Sequence, residues 1–236
     1  MKAIVSTLID LGNELAAKPY QRIEFTGDKM ADDLLNDISN YPHAFVLACV
    51  MDRQINAKTA WLIPYKFSRE LGGLQFNRLS QLDLDWIKSF FVNNHLHRFN
   101  VIMANNFYYA IKSIGEQYQG NAANIWTNSP KSATLVRNFL QFKGVGIKIA
   151  TMAANILVRN FKIPVADRLC IDISPDVQVK RVFTRLGFIG KDADESELIY
   201  CARELNPEYP GVFDLSVWNI RKNWCRPTNR ACLKIQ

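Results

Sequence analysis

Apolar residues recur along most of this chain at spacings of three and four, the pattern of helices that bury one face. Residues 100–118, NVIMANNFYYAIKSIGEQY, show it best. Residues 29–40, 82–93, 132–142, 147–161, 176–188 and 194–206 repeat it. Residues 43–54, HAFVLACVMDRQ, are continuously apolar and then turn polar. The first 18 residues carry Asp10 and Glu14 among their apolar positions and predict an amphipathic helix rather than a signal peptide. Pro42, Gly72, Gly73, Gly120, Pro130, Pro164, Pro175 and Gly187 fall between these segments, where helices stop. Alternation of period two is scarce. The pattern predicts an all-α chain of about ten helices, with no internal repeat and no low-complexity stretch.

Helix starts are marked as well. Ser129-Pro130 can open one helix, with Ser132 as a further cap. Ser174-Pro175-Asp176 precedes another, placing Asp176 in or beside a first turn, where the helix dipole favours a carboxylate.

Composition narrows the class. Of 236 residues, 48% are hydrophobic, enough for a real core, and 22% are charged. No apolar run approaches the ~20 residues of a membrane span, so an intracellular protein, cytoplasmic or nucleoid-associated, is expected. The net charge of +7 is unevenly placed. Residues 1–130 hold 12 Lys/Arg and 12 Asp/Glu; residues 131–236 hold 17 and 10, which makes up the totals of 29 and 22. A basic half suits a phosphate-bearing partner, although a solvated basic face would show the same counts. Cys49 and Cys201 read as small buried hydrophobes, and His43, His95 and His97 lack metal-ligand spacing.

The chemistry concentrates in residues 142–150, FKGVGIKIA. Two glycines join one helix to the next, and Gly144 and Gly146 allow positive φ or a close backbone approach. The second helix begins there, so its first N–H groups point outward and can take a phosphate. Lys143 stands on the turn and Lys148 just inside the second helix. A plain turn between two helices has the same local form.

This stretch, F-x-x-F-K-G-V-G-I-K-I-A, resembles the helix-hairpin-helix signature of the endonuclease III superfamily of DNA glycosylases. In its bifunctional members, endonuclease III and the 8-oxoguanine glycosylases, the hairpin reads L-P-G-[VI]-G-x-K-x-A and its lysine is the nucleophile. Lys148 falls on that position. The family also uses an aspartate that opens a later helix, as in V-D-x-H-[IV]-x-R-[VI]. S-P-D-V-Q-V-K-R-V places Asp176 on it, with Gln178 where histidine is common. PHAFVLACVMDRQINAKTA resembles the early barrel helix and the loop whose glutamine enters the DNA stack, matched by Gln54. The likeness spans residues 41–232. It implies two helical lobes with the hairpin at a DNA-binding cleft. Residues 1–40 would be helices packing with the C-terminal lobe, 41–148 a helical barrel ending in the hairpin, and 149–236 a C-terminal lobe with a basic tail.

Two departures accompany it. Lys148 and Asp176 lie 28 positions apart (148 to 176), more than is usual, so a loop within 158–174 is enlarged and Asp172 becomes a second candidate. The C-terminus, WNIRKNWCRPTNRAC, resembles the start of the family's iron–sulfur loop, C-x6-C-x2-C-x5-C. Only Cys225 and Cys232 fit it; Ile235 occupies the third position and the chain ends at Gln236. A cluster normally needs four thiolates, so none is expected, while Arg226 and Arg230 could grip phosphates.

The resemblance implies a monomeric base-excision repair glycosylase acting on double-stranded DNA with a damaged or mispaired base. The base would be flipped out of the stack. Lys148 would attack C1′ to give a Schiff base, with abasic-site (AP) lyase activity following; burial at the helix N-terminus would favour the neutral amine. Asp176 would stabilise charge on the sugar. Lys143, Gly144, Val145 and Gly146 would hold the backbone, with Gln54, Gln178, Arg226 and Arg230 as further contacts. A monofunctional glycosylase, with Asp176 activating water, and a non-catalytic helix-hairpin-helix binder remain open. Of Phe91, Phe99, Phe107, Tyr108 and Tyr109, most are expected in the core.

Overall fold

The computed structural model describes residues 2–223 and Cys225. The described residues form twelve α-helices and two 3-10 turns, with no strand. The chain is all-α, as its periodicity predicts.

It divides into two compact units. One holds residues 22–128 and 137–149; the other holds 1–21, 129–136 and 150–236.

The first unit is built on α3 (Pro42–Met51), all ten of whose residues are buried. A helix apolar on every side has to be central, and α2 (Lys29–Asn36), α4 (Ala57–Leu71) and α7 (Asn100–Gln117) pack against it. α5 (Phe76–Ser80) and α6 (Leu84–Asn93) pack on α7 as well. Division of the sequence at residue 40 groups α2 with the N-terminal helix, but α2 packs on α3 and α4. Its face explains why: Ala31 and Leu35 are fully buried, and Asp28 caps its first turn through the N–H groups of Met30 and Ala31.

α4 is absent from the predicted elements, and it carries Pro64 in its middle, where proline removes a backbone bond. Aromatic packing outweighs the lost backbone bond. Trp61 stacks on Phe25 with ring centroids 4.3 Å apart and meets Phe45 edge-on; Phe67 stacks on Phe107, also at 4.3 Å, beside Phe90 and Phe91. Each buried Phe side chain is worth about 1.5–3 kcal/mol, comparable with the ~3 kcal/mol cost of an interior proline. Phe91 and Phe107 thus belong to the core, as expected, while Tyr109 is exposed.

In the second unit α1 (Lys2–Ala17) packs along α12 (Phe213–Asn223), and α10 (Val177–Arg185) lies on α12 as well. α11 (Glu195–Leu205) packs on the 3-10 turn Pro210–Val212. α8 (Ser132–Leu140) and α9 (Ile147–Arg159) each begin or continue here. Ser132 is not used as a free cap. Its hydroxyl bonds Asp167 and accepts from the Cys170 N–H, while the Pro130 carbonyl accepts from Ala166. The enlarged segment between α9 and α10 is thereby tied to the start of α8. No helix among the described residues is long and apolar enough to cross a membrane.

Candidate functional site

Two groups of candidate residues can be built up, one in each unit.

In the first, α8 ends at Leu140 and α9 starts at Ile147, with the KGVG turn between. Gly144 has φ +87°, and a Cβ there would lie 2.3 Å from Nδ2 of Asn106, a buried side chain of α7. Only glycine meets both conditions. Asn106, which sequence reasoning missed, is the floor of the hairpin; a polar residue on the buried face of an otherwise apolar helix was the available signal. Phe139 and Phe142 anchor the arms, Phe142 lying parallel to Tyr118. The Val145 N–H donates to the Phe142 carbonyl at 3.0 Å, which closes the turn and spends that donor within the protein. The Lys143 ammonium sits 4.3 Å from the centre of the exposed Tyr109 ring, a cation–π contact that holds it beside the turn.

Lys148 is the second residue of α9 and is exposed, followed by the buried Ile149 and Ala150. The residue is not enclosed in the core as expected; its position lies off the packed face of the helix. Gln54 is exposed in the loop between α3 and α4 with φ +55°. A left-handed backbone at a non-glycine residue is strained, and Asn56, which caps α4 through Lys58 N–H, fixes the loop's far end.

In the second unit the segment from Ile171 to Asp176 leads into α10. Asp176 is the N-cap of that helix: its Oδ1 accepts from the N–H groups of Gln178 at 2.7 Å and Val179 at 2.8 Å. Oδ2 takes no part in the cap. Gln178 is half-buried, and its Oε1 accepts from Arg181 at 2.7 Å. Asp172 is placed differently. It is buried, and its two oxygens accept from Arg203 Nε and Nη2 at 2.7 and 2.8 Å, a bidentate pair between residues 31 apart in sequence. Of the two aspartates, only Asp176 keeps a carboxylate oxygen outside a structural pair among the described residues.

Behind this segment lies a polar cluster that the sequence did not announce. Asp214, in the first turn of α12, accepts from the Ser174 N–H at 3.0 Å, the Ser174 hydroxyl at 2.8 Å and Asn155 Nδ2 at 3.1 Å. Asn155 also donates to the Asp172 carbonyl and accepts from the Tyr209 hydroxyl at 2.8 Å. The Gly211 N–H donates to the Ile171 carbonyl at 2.7 Å, and a Cβ on Gly211 would come within 2.6 Å of Asn155. Asp214 keeps some exposed surface as a residue, but its carboxyl is enclosed. Burial pushes that carboxyl up to about 6, against the pull of Arg159 and of the Ser174 donors, with Asp176 adding a smaller push upward.

Cys225 is buried, with Arg185 Nη1 3.0 Å from its sulfur. Arg226, Arg230 and Cys232 lie outside the described residues. Among those described, no group of three or more His, Cys, Asp or Glu side chains could hold a metal ion.

No family model and no curated protein matches this sequence. Solved structures do match in fold. A trapped endonuclease III–DNA covalent intermediate, in an estranged-adenine complex, aligns over 99% of this chain and 92% of its own, with a TM-score of 0.61 at 14% identity. A non-covalent endonuclease III–DNA complex aligns over 99% and 91%, with the same score and identity. The fold is that of endonuclease III. The endonuclease III likeness extends over both units, and so over both groups of candidate residues.

Proposed function

We propose that this chain is a DNA N-glycosylase of base excision repair with associated AP lyase activity. The observation that carries the reading is a glycine hairpin presenting Lys148 at the second position of α9, in a chain with the endonuclease III fold. The neighbours of that fold are DNA complexes, one of them covalent.

Base release needs the nucleotide flipped from the stack, because C1′ and the base are otherwise enclosed. The neutral Lys148 amine attacks C1′; the glycosidic C1′–N bond breaks, and its electron pair leaves with the base, which takes up a proton. Opening of the sugar ring gives an iminium between Nζ and C1′. Loss of a C2′ proton then expels the 3′ phosphate, the lyase step. Asp176 stabilises the positive charge that develops on the sugar. Lys148 is an exposed residue, so bound DNA helps to exclude water around it during the reaction. The α9 N-terminus and Lys143 hold backbone phosphates, contacts that position the duplex without reading its sequence. Gln54, Gln178, Arg226 and Arg230 are proposed further contacts, Gln54 filling the gap left by the flipped base.

No step uses a metal or cluster. Within this sequence Cys225 and Cys232 have the spacing of the first interval of the family's four-thiolate loop, and Cys225 lies against Arg185.

The same exposure of Lys148 favours a second reading, a monofunctional glycosylase in which Asp176 activates water. Borohydride reduction on a duplex with one abasic site separates them. The proposed function requires a covalent protein–DNA adduct in the wild type and none in Lys148→Gln. Base release without an adduct supports the second reading, and no reaction on any lesion-bearing duplex refutes both.

A further inference from the structure

Asp214 is a charged side chain enclosed in a protein that has to desolvate it, and the proposed chemistry does not use it. Its contacts share one direction. Two of its three donors belong to Ser174, 40 residues away in sequence, and the third is Asn155. Ser174 in turn accepts at its carbonyl from the Asp176 N–H at 2.8 Å. A chain of bonds therefore runs from the Asp214 carboxylate, through both sides of the Ser174 peptide, to the residue that caps α10. The Asp172–Arg203 pair and the Gly211–Ile171 bond clamp the upstream end of the segment, so its conformation between residues 171 and 176 is held at both ends.

An ionised carboxylate is the acceptor this arrangement calls for. Three N–H or O–H groups converge on two oxygens, and neither oxygen has to donate. Asn would present an NH2 group, and a protonated Asp an O–H, to a neighbourhood that already supplies donors, so one contact to Ser174 or Asn155 must reorient or be lost.

We propose that Asp214 is a positioning residue for Asp176: its ionised carboxylate holds the Ser174–Asp176 turn in the form that presents Asp176, and its protonation loosens that turn. This rests on the assignment of Asp176 to the glycosylase reaction. Charged and titratable groups facing the cluster are Arg159 from α9, Asp176 itself, and Tyr209 ahead of α12. The enclosure of Asp214 sets the switch in the mildly acidic range, within reach of experiment.

The test compares the wild type, Asp214→Asn and Ser174→Ala. It measures the single-turnover rate of borohydride trapping on an abasic-site duplex from pH 5 to pH 8, with a melting curve at each pH. The ratio of wild-type to Asp214→Asn rates removes the common ionisation of the attacking amine. That ratio is expected to be about tenfold or more at pH 8, the scale of a small misplacement of a reacting group. It should shrink toward unity as the pH falls through the titration of Asp214, because the protonated wild type then resembles the variant. The melting temperature of Asp214→Asn at pH 8 should equal or exceed that of the wild type. Ser174→Ala keeps the backbone donor and should lose several-fold at pH 8 with the same pH trend, which covers failure of Asp214→Asn to fold. A ratio near one at pH 8, or one that does not change with pH, overturns the inference. Absence of trapping by the wild type overturns the proposed function, and this inference with it; the wild-type arm alone reports on that reading.

Discussion

Replacement of Gly144 by alanine probes the hairpin where two independent constraints meet. The first is backbone conformation. At φ +87° an L side chain sits in the left-handed region, at a cost of roughly 1–2 kcal/mol. The second is space. The new methyl carbon would lie 2.3 Å from Asn106 Nδ2 and 3.0 Å from its Cγ, and Asn106 is only 2% exposed. Forcing a buried group aside costs about 1–3 kcal/mol. Together Gly144→Ala should destabilise the chain by about 2–5 kcal/mol, a large share of the ~5–15 kcal/mol that holds a typical domain. Urea unfolding at 25 °C measures it, and a double-mutant cycle with Asn106→Ala apportions it. Truncating Asn106 removes the clash but leaves the backbone term, so the double variant should be more stable than the summed single effects imply by about 1–2 kcal/mol. Duplex affinity should fall in Gly144→Ala and return only partly in the double variant. A loss below ~1 kcal/mol, or strict additivity with Asn106→Ala, would refute this account of why the turn needs glycine.

Two further outcomes concern the carboxylates. Asp172→Asn breaks the bidentate pair with Arg203, whose side chain is 40% exposed; solvent screening limits the loss to about 1–3 kcal/mol in urea unfolding. Its trapping rate, normalised to folded protein, should stay within a few-fold of the wild type, whereas Asp176→Asn should lose about 100-fold or more; the reverse order would reassign the catalytic aspartate. The Asp214 carboxyl, raised from 3.8 to about 6, binds its proton more tightly in the folded state than in the unfolded one. Stability from this group is therefore full below pH ~4 and is lost as the pH rises through 6. Relative to Asp214→Asn, wild-type stability should fall by roughly 1–2 kcal/mol between pH 5 and pH 8. A rise over that interval would mean that the carboxylate is net stabilising when charged.

Much of the local architecture was open to reading because it depends on residues within one helical turn of each other. The spacing of apolar positions marked α7, α9 and α10 to within a residue or two of their starts. The Ser-Pro-Asp sequence placed Asp176 beside a helix start, where it caps α10. α4, absent from the elements the periodicity predicts, keeps Pro64 inside it because the Trp61 and Phe67 packing draws on residues from Phe25 to Phe107. Ser132 looked like a cap, yet its hydroxyl is held by Asp167, 35 positions away.

The amino-acid sequence by itself determined the all-helical class, the glycine hairpin that sets Lys148 on α9, and the helix start at Asp176, all products of periodicity, φ preference and capping over a few residues. Only the tertiary structure decided that Asp172 is bound to Arg203, that Asp214 and Asn155 stand behind Ser174, that Asn106 lies under Gly144, and that Lys148 is an exposed residue. Those outcomes depend on which side chains meet across tens of residues. A buried polar group must find a partner wherever the fold supplies one, and no short-range pattern records where that will be.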